Sequence, residues 1–223
     1  MRIVLLLIIC LPFCSFGQKE TKLKEELDSM YVLDQRNRQL LTKLGNNRPL
    51  SDSLSAVYKT TRIKLASMLW AEQAKIDTSN LHRVVALMNE HGYPGKTLVG
   101  TPTNEFAFYI LQHARQVDAY LPAVKKAAES GELPLYHYAL MLDQSLMRAG
   151  KPQMYGSQVT CKPIKGSAQS RCFVWPIDDY RGVNERRKQA GFPLTVAENA
   201  NRVNASYDPA LTIELMRKTY RLD

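Results

Sequence analysis

Apart from one stretch near its start, the 223-residue chain has no long hydrophobic run, so nothing further along offers a membrane span. Cysteine is scarce. Beyond the first twenty residues only Cys161 and Cys172 are found, with no histidine close by in sequence, which makes a poor metal signature. The HExxH register and the GxSxG elbow are both missing, and with them go the local signatures of a zinc hydrolase and a serine hydrolase. No run of basic and aromatic residues tracks one surface as a single-strand nucleic-acid groove would. The net charge of +9 favours anionic partners in general, but no nucleic acid is expected among them. There is no internal repeat. No metal or cofactor is expected.

What is there begins with Arg2 followed by IVLLLIICLPFC, an apolar run short for a membrane span, and then SFG. Ser15 and Gly17 stand at the small-residue positions of a cleavage site. We therefore expect residues 1–17 to be an export signal and residues 18–223 to form one secreted or periplasmic domain without a stable membrane span. An oxidising compartment would favour a Cys161–Cys172 disulfide around KPIKGSAQSR, which Pro163 and Gly166 help to turn. Two separate thiols packed in the core are the alternative.

The texture is mostly helical. Leu23, Leu27, Met30, Tyr31 and Leu41 recur at near-helical intervals and predict a helix over 22–43. A second is expected over 53–76, a short one over 79–91 after IDTSN, then helices over 103–120, 122–129 and 133–149. Gly92 is placed to end one of them and Thr101 to cap another. SQVTCKPI and SRCFVWPI read instead as the arms of a small β-hairpin in the C-terminal third, with helices returning at 178–190 and 208–220. The fold class is therefore mostly α, a single helical domain with one hairpin.

Several polar residues interrupt these stripes. Asp34 and Arg38 stand one turn apart beside apolar positions, either as an ordinary intrahelical pair or as part of a semi-buried network. His113 lies between Ile110 and Val117 on an inward face, where it either fills the core or works as an acid, a base or a ligand contact. Asp143 interrupts another inward face, and a carboxylate there needs cationic or hydrogen-bonding compensation. His91 sits in a last helical turn. In QMYGSQ, Gly156 allows close backbone approach, while Tyr155, Ser157 and Gln158 offer directional hydrogen bonds. Arg186 and Arg187 follow; an arginine fork can hold a carboxylate or phosphate.

In their order, DQxxR at 34–38, HGYPG at 91–95, QH at 112–113, LDQ at 142–144, YGSQ at 155–158 and NERRKQAG at 184–191 carry a resemblance. The chain resembles an uncharacterised bacterial family, domain of unknown function 6624, from about Leu27 to Phe192. The family often has Trp where Tyr93 stands, Thr where Ser157 stands and Arg where Gln144 stands. It brings no assigned reaction.

Two classes of function follow. In the first, a hydrolase or group-transfer enzyme, His113 and Asp143 are the catalytic residues. Tyr155, Ser157, Gln158 and Arg187 hold the substrate, with Asp34, Arg38, His91 and Arg186 in support. In the second, the same residues bind a small anion, a peptide or a glycan without transforming it. One cleft containing His113, Asp143, Tyr155 and Gln158, with Arg187 at its rim, is expected in either case.

Overall fold

The computed structural model describes the backbone of residues 13–222 and the side chains of residues 20–222. The expected export signal, residues 1–17, lies outside the residues whose side chains are described. Two long helices make the frame. α1 (Phe13–Asn46) and α3 (Arg62–His91) pack along each other, joined through the short α2 (Arg48–Val57). α1 buries Leu23, Leu27, Met30, Asp34 and Asn37, a spacing of three and four residues that keeps one face inward. α3 does the same with Leu65, Leu69, Gln73, Asn80, Val84 and Leu87. Both stripes are apolar at one stage and polar at another.

The break between the second and third helices falls earlier than the sequence suggested. Asn47 caps α2 by accepting from the Leu50 N–H, with Pro49 in the first turn. Lys59 then takes a left-handed φ of 48°, and Thr61 caps α3 by accepting from the Lys64 N–H. This change of phase leaves Val57, Tyr58 and Met68 exposed. IDTSN does not stop the helix, because its polar side chains find partners without breaking the backbone ladder. Thr78 Oγ1 donates to the Ala74 carbonyl, Asn80 Nδ2 to the Met30 carbonyl of α1, and Asp77 accepts from Gln73. α3 ends where expected, at Gly92 with φ of 74°.

The expected helix over 103–120 is also shorter. It consists of α5 (Phe106–Leu111) between 3-10 turns at 103–105 and 117–119, and Thr101 caps neither. After Leu111 the backbone carbonyls turn outward to partners on α7 (Leu135–Arg148). Gln144 Nε2 donates to the Gln112 carbonyl at 3.1 Å, and Arg148 Nη1 to the Ala114 carbonyl at 2.9 Å. Tertiary capping ends this helix. α4 (Lys96–Val99) and α6 (Leu121–Glu129) complete the first body of the fold, whose core joins Leu27, Val84, Phe108, Leu111, Val124 and Met141. Each such side chain contributes about 1.5–3 kcal/mol by leaving water.

β1 (Val159–Pro163) and β2 (Ser170–Val174) pair antiparallel, with Cys161 opposite Cys172 and the disulfide joining them. Three short helices follow, α8 (Val183–Ala190), α9 (Val196–Arg202) and α10 (Ile213–Thr219). The expected helices over 178–190 and 208–220 are thus shortened. α9 was not foreseen, although Thr195 and Glu198 form a capping box at its start. Phe173 of β2 stacks on Tyr220 with ring centroids 4.2 Å apart and fastens the hairpin to the C-terminal segment. The chain is mostly α with one small hairpin.

Candidate functional site

One polar cluster forms where α1, α3 and the turn after α5 meet. Arg38 leaves α1 and spans the gap: its Nη2 donates to Asp77 Oδ2 of α3 at 2.9 Å, and its Nε donates to His113 Nε2 at 3.1 Å. Gln73, one turn before Asp77, donates to the other carboxylate oxygen at 2.7 Å. Asp34 lies beneath, its side chain 1% exposed, with Oδ2 3.7 Å from His113 Nε2. Asp34 and Arg38 therefore do not form the simple intrahelical pair that their spacing allowed; Arg38 reaches across to another helix.

The chemistry of arginine fixes the state of His113. A guanidinium has donors only, so His113 Nε2 must accept, and a neutral ring then carries its proton on Nδ1. Burial, followed by the charge of Arg38, lowers the His113 pKa to about 4 and keeps the ring neutral. Burial also pushes Asp34 up to about 6, partly opposed by Arg38 and by the hydrogen bond from Gln35. Among the described residues, Asp34 Oδ1, Arg38 Nη1 and Gln73 Oε1 are buried without a hydrogen-bond partner. Such atoms cost stability unless something else fills the need.

Arg38 and His113 also line the floor of a cleft of about 1140 Å³ between the end of α1, α2 and the start of α3. Its walls are apolar: Leu41 and Leu44 face Ile63, Ala66 and Trp70. Ile63 and Trp70 are 80% and 54% exposed, which is unusual for side chains of that size. Arg48 and Arg62 stand at the cleft as well, Arg62 paired with Asp52 at 3.2 Å just outside it, and none of the described residues lining the cleft is an aspartate or glutamate. On the other side of the cluster, His113 and Asp77 line a second cavity of about 740 Å³ with Thr78, Gln116 and Tyr120.

A second cluster is built around Asp143 and is of a different kind. Asp143, fully buried on α7, accepts from the backbone N–H groups of Met154, Tyr155 and Ser157 at 2.7–3.2 Å. Burial raises its pKa while these donors pull it down. Gln153, also fully buried, donates to the carbonyls of Gln158 and Trp175 and accepts from the Gln158 N–H. Arg187 is 3% exposed; it donates to the Leu194 and Tyr155 carbonyls and stacks on Phe192. Arg186 holds the Met154 carbonyl from the more open side. Both arginines therefore reach the same loop, and Arg187, expected at the rim of a cleft, is buried instead. At Gly156 a Cβ would come within 2.7 Å of Val196 and 2.8 Å of Ile177, so only glycine fits.

The expected single cleft is thus divided. Asp143, Tyr155, Ser157, Gln158, Arg186 and Arg187 come together, and so do Asp34, Arg38 and His113. None of the hydrogen bonds described here joins His113 to Asp143. The Gln158 side chain turns to the Leu140 carbonyl and Ser157 Oγ.

A family model described as a family of unknown function (DUF6624) matches residues 21–208. The chain belongs to this family. The match takes in both clusters of this DUF6624 chain, the cleft and the hairpin. Comparison with curated proteins and with solved structures returns no match. The remaining family motif, HGYPG, ends α3. Tyr93 donates to the Asn104 carbonyl at 3.0 Å, and a Cβ on Gly95 would collide with Glu132. His91 pairs with Glu90 at 3.3 Å, apart from both clusters.

Sequence reasoning missed Asp77, Gln73, Trp70, Arg48 and Arg62. For Gln73 the signal was present, since it follows Leu65 and Leu69 on one helical stripe, and Asp77 lies one turn further on. Reading IDTSN as a helix end concealed it. The arginines and Trp70 have no local mark, because only the fold of α2 against α1 and α3 gives them a common cavity.

Proposed function

We propose that this DUF6624 chain is an exported binding protein for an amphiphilic anion, held in the cleft between α1, α2 and α3. The observation that carries this reading is the composition of the cleft, with Arg38, Arg48, Arg62 and His113 beside apolar walls and no carboxylate among its described lining residues. Arginine recognises carboxylate and phosphate through its planar fork, and an aromatic or acyl body would cover the exposed Ile63 and Trp70. Export rests on the leader read in residues 1–17.

A hydrolase or group-transfer role finds support in Asp34, 3.7 Å from His113 Nε2. For His113 to act as a base there, Arg38 would have to release the nitrogen it now occupies. Binding without chemistry is the simpler reading of this arrangement.

Titration of residues 18–223 with myristate, followed by calorimetry and by quenching of Trp70, is the test. Saturable binding is expected, weakened about tenfold in R48A, as removal of one charge-assisted contact requires. Arg48 is exposed and its loss leaves the core intact. The absence of saturable binding, or equal binding by R48A, overturns the anion reading. Conversion of the ligand into a new product would favour the enzymatic one.

A further inference from the structure

His113 lines two cavities, and they differ in chemistry. The first has apolar walls with arginines; the second offers the Asp77 carboxylate, the Thr78 hydroxyl, the Gln116 amide and the Tyr120 ring, together with Arg115 and the aliphatic Leu81 and Ile110. Arg38, a lining residue of the first cavity, touches both Asp77 and His113 at the divide, and Arg115 lines the second cavity. A ligand with its anionic group at one end would fill the first cavity alone. A ligand with an anionic group between two unlike arms would fill both.

We propose that the ligand is a single-chain phosphodiester amphiphile of the lysophospholipid class, its phosphate at Arg38 and His113, its acyl arm in the first cavity and a hydroxyl-bearing head in the second. This rests on the anion reading above and specifies the class of ligand. Each part follows from a donor or acceptor already described. The proton that Arg38 fixes on His113 Nδ1 makes the ring a hydrogen-bond donor, as a phosphodiester oxygen needs. The phosphodiester has two substituents, which the two cavities require and a fatty acid cannot supply. Head-group hydroxyls can donate to Asp77 and accept from Gln116, while Tyr120 offers an apolar ring to the carbon face between them. The acyl arm meets Leu41, Leu44 and Trp70.

The experiment compares monomyristoyl lysophosphatidylglycerol with myristate, both below their micellar concentrations, on the mature chain, on A74W and on Q116A. Ala74 and Gln116 are exposed and line only the second cavity, so neither substitution burdens the core or the first cavity. The lysophospholipid is expected to bind about tenfold more tightly than myristate, the yield of two additional hydrogen bonds. A74W should abolish that advantage, Q116A should reduce it, and neither should change myristate binding. If myristate binds and the lysophospholipid binds no better, the two-armed ligand is wrong and the anion reading stands. An advantage that survives A74W unchanged overturns the assignment of the head to the second cavity. If neither amphiphile binds, both readings fall together.

Discussion

The two clusters use similar residues for opposite ends. Around Asp143 each carboxylate oxygen, the Gln153 amide and the Arg187 guanidinium meet backbone groups, most of them in the loop after α7 and the others at Trp175 and Leu194. Around His113, buried atoms of Asp34, Arg38 and Gln73 lack partners, and the group opens onto two cavities. A satisfied network specifies structure, whereas an incomplete one beside open space is the kind that a ligand completes. A polar motif recognised in this sequence can therefore belong to either kind. Only the destination of its hydrogen bonds separates them.

The largest effect is expected on the closed side. Asp143→Ala leaves three N–H groups unpaired in the loop and removes the carboxylate whose charge acts on Arg187, at a cost of about 3–5 kcal/mol. Urea unfolding measures it, and a loss below about 1 kcal/mol would erase the contrast between the clusters.

The open side holds two groups whose responses to pH run in opposite directions. Asp34 titrates near 6 folded and near 3.8 unfolded, so the folded state holds the extra proton and stability falls as pH rises through that window. His113 titrates near 4 folded and 6.5 unfolded; there the unfolded state holds the extra proton and stability rises with pH. In the parent protein the two trends offset each other. Removing either partner should unmask the other. D34N is expected to gain stability from pH 4 to 6.5 and H113Q to lose it from pH 4 to 6, each on the order of 2 kcal/mol. Stability curves with the same slope in both variants would break the assignment.

The smallest effect is at Ser157, whose hydroxyl accepts from Gln158 while its N–H serves Asp143. Threonine keeps both groups. S157T is expected to change stability by less than about 0.5 kcal/mol. A larger thermal shift would mean that the methyl group has no room in the closed cluster.

Much of the fold was legible in sequence because local chemistry decided it. The stripe of α1, the stop at Gly92 and the Cys161–Cys172 hairpin follow from spacing, backbone freedom and turn composition. Boundaries set by distant partners were not. α5 ends because Gln144 and Arg148 take its carbonyls, and α3 continues because Asn80 and Asp77 find α1. Asp143 was identified as a carboxylate in need of compensation, but no sequence pattern tells backbone donors from a catalytic histidine. For the same reason, the site residues fell into one imagined cleft. Trp70 and the cleft arginines look like ordinary surface residues in sequence, because only the packing of α2 beside α1 and α3 sets them around one cavity.

One consequence concerns where movement can arise. α3 runs unbroken from Arg62 to His91, a rod of about 45 Å at 1.5 Å per residue. Its first turns carry Ile63, Ala66 and Trp70, and its far turns anchor Val84 and Leu87 in the core. One wall of the cleft is therefore rigidly continuous with the centre of the molecule. The facing wall, Leu41 and Leu44, is carried by α1, which is anchored in the core in the same way, so any widening or shutting of the cleft must be borne by α2, through the turn at Asn47 and the link from Tyr58 to Thr61, where backbone amide exchange should be fastest.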